Sequence, residues 1–355
     1  MIFPPLADTT PMPEPSLRFG VIGLAHAHIF EMCRGLLAAG SRMAAVYEPV
    51  PALRQAFAKA FPGAVFAGTA EEILEDPSVS LIVSADVPAR RAMRGVEAMK
   101  AGKDFFVDKA PATTLAQTAL VRQVCRETGR KFFIFYGESV ISAPVLYARD
   151  LIRQGAVGRV IHVNGAAPHR LSPATRPDWF FRRADTGGIL TDLVCHQIHQ
   201  FLEFTDADTA VLNAGRCANY AHPETPDWDD FGDCMLTAPG GATGYFRVDW
   251  FTPDGLSTWG DSRMTVVGTE GTLELRKNCD LARREDSCNL YLVNREGEFR
   301  QNVGNLVPIS FYRRLLWDCI RRTDTAINPE RALCAIELAI AAQAAALAYR
   351  KGEQA

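Results

Sequence analysis

Between residues 18 and 136 the sequence repeatedly alternates a short apolar run with a segment patterned for a helix. That alternation restricts the fold more than any other feature. Runs at 18–23, 43–47, 65–66, 81–84, 105–107 and 131–136 are dense in apolar residues and have strand length. Between them, 29–39, 51–60, 70–74, 90–101 and 115–128 carry apolar residues at helical spacing. Gly40, Pro77, Gly102 and Gly129 stop four of these helices. Strands and helices in this order imply right-handed βαβ units and a doubly wound parallel sheet of the dinucleotide-binding type.

Near Gly137 the character changes. After a helix at 144–154 come strand-like runs at 160–164, 234–236, 243–250, 263–267, 272–275 and 290–293. Turns such as Pro239-Gly240-Gly241 separate them, which reads as a mainly antiparallel sheet. Residues 187–204 form the helix that crosses this sheet, and helices at 311–321 and 329–349 close the chain. At 355 residues the chain suits two domains. The expected organisation is an arm at 1–16, a nucleotide-binding domain at 17–138, and an α/β substrate and oligomerisation domain at 139–355 whose last helix lies at the domain junction.

A net charge of −3 without a basic tract gives no support to nucleic-acid binding. No apolar run reads as the roughly 20-residue span that a membrane requires, so no membrane partner is expected. Nine cysteines with no CxxC read as reduced thiols of a cytoplasmic protein. Residues 1–16 contain five prolines and no basic stretch followed by an apolar core. They read as a loose arm or a strap over a neighbouring subunit rather than a secretory signal.

The chemistry concentrates in three places. Gly20-Val-Ile-Gly23-Leu-Ala25-His26-Ala-His28 stands where a dinucleotide fold needs small residues, so that the backbone can approach a pyrophosphate at a helix N-terminus. Against G-x-G-x-x-G only Gly23 is kept; Ala25 and His28 occupy the other glycine positions. Glu48 ends the second strand, where an acid accepts the ribose hydroxyls of NAD and repels the 2′-phosphate of NADP. Lys109 follows Asp108 at the ligand-binding end of an apolar strand, where a partly desolvated lysine can hydrogen-bond a reacting hydroxyl.

Asp192 and His196 lie four residues apart behind Gly187-Gly188 and project from one face of a helix, a pair fit to move a proton. The glycines let a ligand come close to the backbone. His199 shares that face, but a metal site there would need ligands from elsewhere, and no metal is expected. Trp179, Arg182 and Arg183 precede the glycines and suit a polyhydroxylated or carboxylated substrate, with packing an equal reading.

From Leu17 to the end the chain resembles the Gfo/Idh/MocA oxidoreductases. Asp108-Lys109 is similar to the family's Glu-Lys-Pro, and Gly187-Gly188-Ile-Leu-Thr-Asp192-Leu-Val-Cys-His196 to its Gly-Gly-x-x-x-Asp-x-x-x-His. The resemblance implies a Rossmann domain and an open-faced, mainly antiparallel sheet with helices on one face. It also implies bound NAD, with NADP less favoured, and catalysis by Lys109, Asp192 and His196 on a secondary alcohol of a sugar, cyclitol or related polyol. The implied cofactor set is Gly23, Ala25, His26, Glu48, Ser84, Asp86, Arg90, Asp108 and Lys109. The substrate set is Lys109, Trp179, Arg182, Asp192, His196 and His199.

An NAD-dependent glycosidase working through transient oxidation and a non-catalytic sugar-sensing relative are the alternatives, and a homodimer or homotetramer is expected. The chain departs from the family's pattern at several points. The proline after the lysine is Ala110 here, and a cis bond before alanine costs about 3 kcal/mol, so a differently shaped loop is expected. Arg90 stands where the family has a histidine.

Overall fold

The computed structural model describes residues 4–8, 17–283 and 287–353. These divide into two compact units, the first of residues 17–135 and 310–332, the second of residues 4–8, 136–309 and 333–353.

The first unit is built from β1 (Arg18–Ile22), α1 (His28–Ala38), β2 (Arg42–Tyr47), α2 (Pro51–Ala60), α3 (Ala70–Glu75), β3 (Leu81–Ser84), α4 (Pro88–Lys100), β4 (Asp104–Asp108), α5 (Leu115–Thr128) and β5 (Phe132–Phe135). The five strands pair in parallel in the order β2-β1-β3-β4-β5. β3 and β4 are buried along their whole length, as strands covered on both faces must be. The run at 65–66, expected as a strand, makes a single bridge from Phe66 to Val46. Two residues, one of them the exposed Val65, are too few to carry a ladder.

The helix boundaries follow local chemistry. α5 opens on a reciprocal capping box between Thr114 and Gln117 and closes on Gly129 in the left-handed region, so orphan groups at both ends find partners.

The second unit contains α6 (Gly137–Val140), α7 (Ala143–Arg153), β6 (Val160–Pro168), α8 (Arg183–Thr186), a π-helical turn (Leu190–Val194), α9 (Cys195–Thr205), β7 (Val211–Ala218), β8 (Phe231–Thr237), β9 (Thr243–Asp249), β10 (Arg263–Gly268), β11 (Gly271–Arg276), β12 (Asn289–Asn294) and β13 (Gly297–Asn302). Its eight strands run β13-β12-β11-β10-β6-β9-β8-β7, antiparallel throughout except where β6 meets β9. Alternate side chains such as Cys234, Leu236, Phe246, Val248, Met264, Val266, Leu273 and Leu275 are buried on one face. α7 and α9 pack against the sheet.

β7 and β13 went unread because Val-Leu-Asn-Ala-Gly-Arg-Cys-Ala and Gly-Glu-Phe-Arg-Gln-Asn lack a clean apolar alternation. Both are edge strands, whose side chains meet the core least.

Two further helices follow, α10 (Phe311–Arg321) and α11 (Pro329–Glu353). A boundary at 138/139 assigned everything after it to the second domain, yet residues 310–332 belong to the first unit. The reason is aromatic packing: Phe311 lies 5.8 Å from Phe106 and 6.2 Å from Phe135, ring centre to ring centre. Arg322 adds an ion pair to Asp104 at 2.6 Å.

α11 also corrects the membrane reading. Pro329–Arg350 has a mean hydropathy of 1.7 over its most apolar window, enough by length and composition to cross a bilayer. Repeated alanines produce that value, and 56% of the window is buried inside the protein, as in a core helix. Of the N-terminal arm, residues 1–3 and 9–16 lie outside the described residues. Within 4–8, Leu6 donates to Leu306 O and Pro4 O accepts from Tyr147, so this piece packs on its own chain.

Candidate active site

In the first unit the expected cofactor residues collect at the carboxyl ends of the strands. Gly23 follows β1 with φ of +90°, and a Cβ there would sit 2.7 Å from Asp86 Cβ, so only glycine fits. The loop is tied on both sides: Gly23 N donates to Tyr47 O, and His26 N donates to Ala85 O. Glu48, 5% exposed, accepts from Leu24 N at 2.7 Å and from Val50 N at 3.0 Å. Its carboxylate therefore holds the glycine loop as well as ending β2.

α1 begins immediately after this loop without a side-chain cap. Ala25 is small and partly exposed. An uncapped helix start behind a tight glycine turn fits a dinucleotide pyrophosphate.

Asp108 is the electrostatic centre of this edge. Fully buried, it meets Arg91 at 3.0 Å, His28 Nδ1 at 2.8 Å and His26 Nδ1 at 3.2 Å. Burial opposes its ionisation, but His28, Arg91 and His26 outweigh that and hold the carboxyl well below the usual carboxylate range. Burial, with the neighbouring His28, pulls His26 down to about 4 against the opposing pull of Asp108.

His26, His28 and Asp108 bring one potential ligand atom each within 4.8 Å of one another. The guanidinium already on Asp108 disfavours a cation there. The metal reading of Asp192, His196 and His199 gains nothing, because His199 is engaged elsewhere.

Arg91 was missed and Arg90 expected in its stead. Arg90 is 67% exposed and only 4.0 Å from Asp86, whereas Arg91 is fully buried. Arg91 Nε donates to Asp86 O at 2.6 Å, and its NH1 to the carbonyls of Lys109 and Ala110. The signal was in the helical register: Arg91 shares a stripe with Gly95 and Met99, both buried. Ser84 and Asp86 shape the neighbouring loop, Ser84 Oγ accepting from Asp86 N and Asp86 Oδ1 from Val87 N.

Lys109 directly follows the last residue of β4 and is 5% exposed. The Lys109–Ala110 peptide is cis, so the trans bond expected before alanine is absent.

In the second unit the helix expected over 187–204 is instead the π turn at Leu190–Val194 followed by α9, with the short α8 ending just before it at Thr186. Asp192 lies on the π turn and His196 on the first turn of α9, so the pair spans a change of helix type rather than one regular α-helix. His196 is 4% exposed, and its ring meets Tyr136 edge-on with centres 5.9 Å apart. His199, 1% exposed, lies 2.7 Å from Ser139 Oγ, which makes it a packing residue rather than a substrate ligand.

The glycine pair serves its own chain. A Cβ at Gly188 would lie 2.4 Å from the Gln343 carboxamide, which accepts from Leu190 N at 2.9 Å. That contact, not a ligand, explains the small residue.

Of the flanking residues, Arg182 pairs with Asp185 at 2.6 Å and is 61% exposed, and Arg183 reaches Asp229 at 3.3 Å. Trp179 is half-buried beside Phe180. The guanidinium whose charge Asp192 feels is Arg176, stacked over Phe180 at 4.5 Å and Trp250 at 5.2 Å. Its Nε donates to Leu171 O at 2.8 Å. Arg176 and Asp192 stand 16 positions apart, so their charge interaction was beyond helical spacing.

A parallel nucleotide-type sheet followed by an eight-stranded mixed sheet, with Asp108-Lys109 at the carboxyl end of β4 in the first unit and Asp192 and His196 on the π turn and α9 of the second, is the architecture of a two-part oxidoreductase. The chain belongs to the Gfo/Idh/MocA family: residues 145–274 match the model of the GFO/IDH/MocA C-terminal domain. A solved structure from Erwinia carotovora atroseptica, provisionally assigned as an oxidoreductase, is 46% identical with a TM-score of 0.91, covering 93% of this chain and 98% of that one.

D-xylose dehydrogenase of Paenarthrobacter nicotinovorans is 28% identical over 52% of this chain and 47% of its own length. The chain thus spans about half the length of that relative. NAD+-dependent scyllo-inositol 2-dehydrogenase of Bacillus subtilis is 23% identical over 73% of this chain and 74% of its own.

Proposed function

We propose that the protein is an NAD(H)-dependent oxidoreductase that moves hydride to or from a secondary alcohol carbon of a sugar, cyclitol or related polyol. The observation that carries this reading is the buried Lys109 at the carboxyl end of β4, beside a glycine turn and an uncapped helix that fit a dinucleotide. The names of the xylose and inositol dehydrogenases support the substrate class.

Gly23, Ala25, His26, Glu48, Ser84, Asp86 and Asp108 would hold the cofactor, which supplies the hydride acceptor or donor when bound. His196 takes the hydroxyl proton in oxidation and returns it in reduction, a task suited to imidazole near neutral pH. Lys109 polarises the substrate oxygen by hydrogen bonding, and Asp192 stabilises the charge that His196 gains. All nine cysteines are free thiols, which supports a reducing, cytoplasmic setting.

The direct test is to denature purified protein and examine the supernatant by absorbance and mass spectrometry, then to assay cofactor reduction with a polyol panel. Release of NAD(H), or NAD+ reduction with one member of the panel, is expected. Absence of both cofactor binding and turnover with every polyol of the panel would overturn the reading.

A further inference from the structure

α6 places two consecutive side chains against α9, and only Ser139, through His199, has been accounted for. Glu138 is the other. Its Oε2 accepts from Gln197 Nε2 at 3.3 Å and from Lys277 Nζ at 3.2 Å. Lys277 Nζ also donates to Gln200 Oε1 at 3.0 Å, and Gln200 Nε2 donates to Glu138 O at 3.0 Å. The other carboxylate oxygen lies 3.8 Å from His169 Nε2. The two charged side chains are 13% and 5% exposed. An acid and an ammonium are thus fastened to positions 197 and 200 of the helix that carries His196.

Such a pair is a poor way to gain stability. Withdrawing both charges from water costs several kcal/mol, and well-packed apolar replacements are often as stable. Its position suggests electrostatic work instead. We propose that the Glu138–Lys277 pair is a positioning device that sets the proton affinity of His196, the carboxylate drawing a proton onto the imidazole and the ammonium holding it off.

This rests on the reading of His196 as proton carrier. Burial raises Glu138, but Lys277, then His196 and His169, more than offset it and bring the carboxyl down to about 2. Burial lowers Lys277, with Glu138 opposing. Glu138 is therefore a carboxylate where imidazole exchanges its proton, and Lys277 Nζ donates to it. Other titratable groups around His196 include Tyr136 just after β5, His169 after β6, Asp192 on the π turn, and Cys195 and His199 on α9 itself.

The test is the His196 titration, read by NMR on histidine-labelled full-length protein and assigned by the resonance lost in His196→Asn. Lys277→Met leaves the carboxylate unopposed and should raise the proton affinity of His196 about tenfold. Glu138→Gln leaves the ammonium unopposed and should lower it about tenfold. The double variant should return within about threefold of wild type.

Lys277→Arg keeps the charge and should leave His196 near its wild-type value. If Lys277→Met does not fold, the downward shift in Glu138→Gln decides alone. Shifts in the same direction, or below twofold, overturn the proposal, because loosened packing has no reason to carry opposite signs.

The acidic limb of the oxidation rate separates the two readings. If the NMR titrations move apart but the limb stays fixed, the pair governs His196 while another group carries the proton. If both move together, both readings stand.

Discussion

The guanidinium of Arg91 lies 3.0 Å from the Asp108 carboxylate, and neither side chain is exposed to solvent. Removing one partner leaves the other charged and unpaired in the interior. Arg91→Met should destabilise the first unit by about 3–5 kcal/mol, seen as a lower urea midpoint in its unfolding transition. Arg91→Met combined with Asp108→Asn should recover part of the loss. A midpoint unchanged in the single variant would show that the histidines alone neutralise Asp108.

Acid should weaken the same edge. His26 is held near 4, below the 6.5 of a free imidazole, so the folded protein disfavours its protonation. The stability this gives is complete above pH 6.5 and is lost as pH falls towards 4. Thermal melts of wild type should decline over that window. In His26→Gln the decline should be shallower by about 1–3 kcal/mol. Parallel pH curves for the two proteins would rule this out.

Cofactor choice is expected to depend on Glu48. A carboxylate at the end of β2 would face the 2′-phosphate of NADP, so NAD should bind more tightly. Because Glu48 also accepts Leu24 N and Val50 N, Glu48→Ala should weaken both cofactors while narrowing the gap between them. Tryptophan fluorescence titrations with each cofactor measure the ratio, and equal affinity in wild type would refute the preference.

Lys109→Met and His196→Asn should each lower kcat by about 10²–10⁴-fold, the usual range for general acid–base catalysis. Asp192→Asn should cost less. His196→Asn should barely move cofactor affinity and should abolish the acidic limb of the oxidative rate. Turnover within a few-fold of wild type in the Lys109/His196 double variant would move attention to another proton carrier.

Assembly is the last expectation. By sequence, runs such as 245–250 are candidates for a subunit contact surface, but Phe246, Val248 and Trp250 are buried. The exposed large apolar side chains on the described strands of the sheet are Ile161, Val211, Met235 and Val293. Two subunits covering such a face should give a dimer or tetramer in sedimentation velocity. Met235→Lys should shift it towards monomer, whereas a wild-type monomer at micromolar concentration would contradict the proposal.

The parallel sheet was legible because β3 and β4 are buried on both faces and therefore read as unbroken apolar runs. β8 to β12 were legible through alternation. β7 and β13 were not, because an edge strand with polar residues on both faces looks like a loop.

Within the sites, Lys109, Asp192 and His196 stood out by local spacing. Arg176, Glu138 and Lys277 did not, since what gives each its meaning is a partner far along the chain; Glu138 and Lys277 are 139 residues apart. Gly188 was noticed for the right backbone reason and the wrong neighbour, Gln343.

The assignment of residues 310–332 to the first unit bears on how the protein can be taken apart. A gene cut at the 135/136 boundary would deliver a nucleotide-binding half without Phe311 and Tyr312, leaving Phe106 and Phe135 without ring partners they have in the whole chain. During synthesis the aromatic cluster of that half cannot close until Phe311 and Tyr312 have left the ribosome. A useful dissection would instead join 17–135 to 310–332 through a short linker.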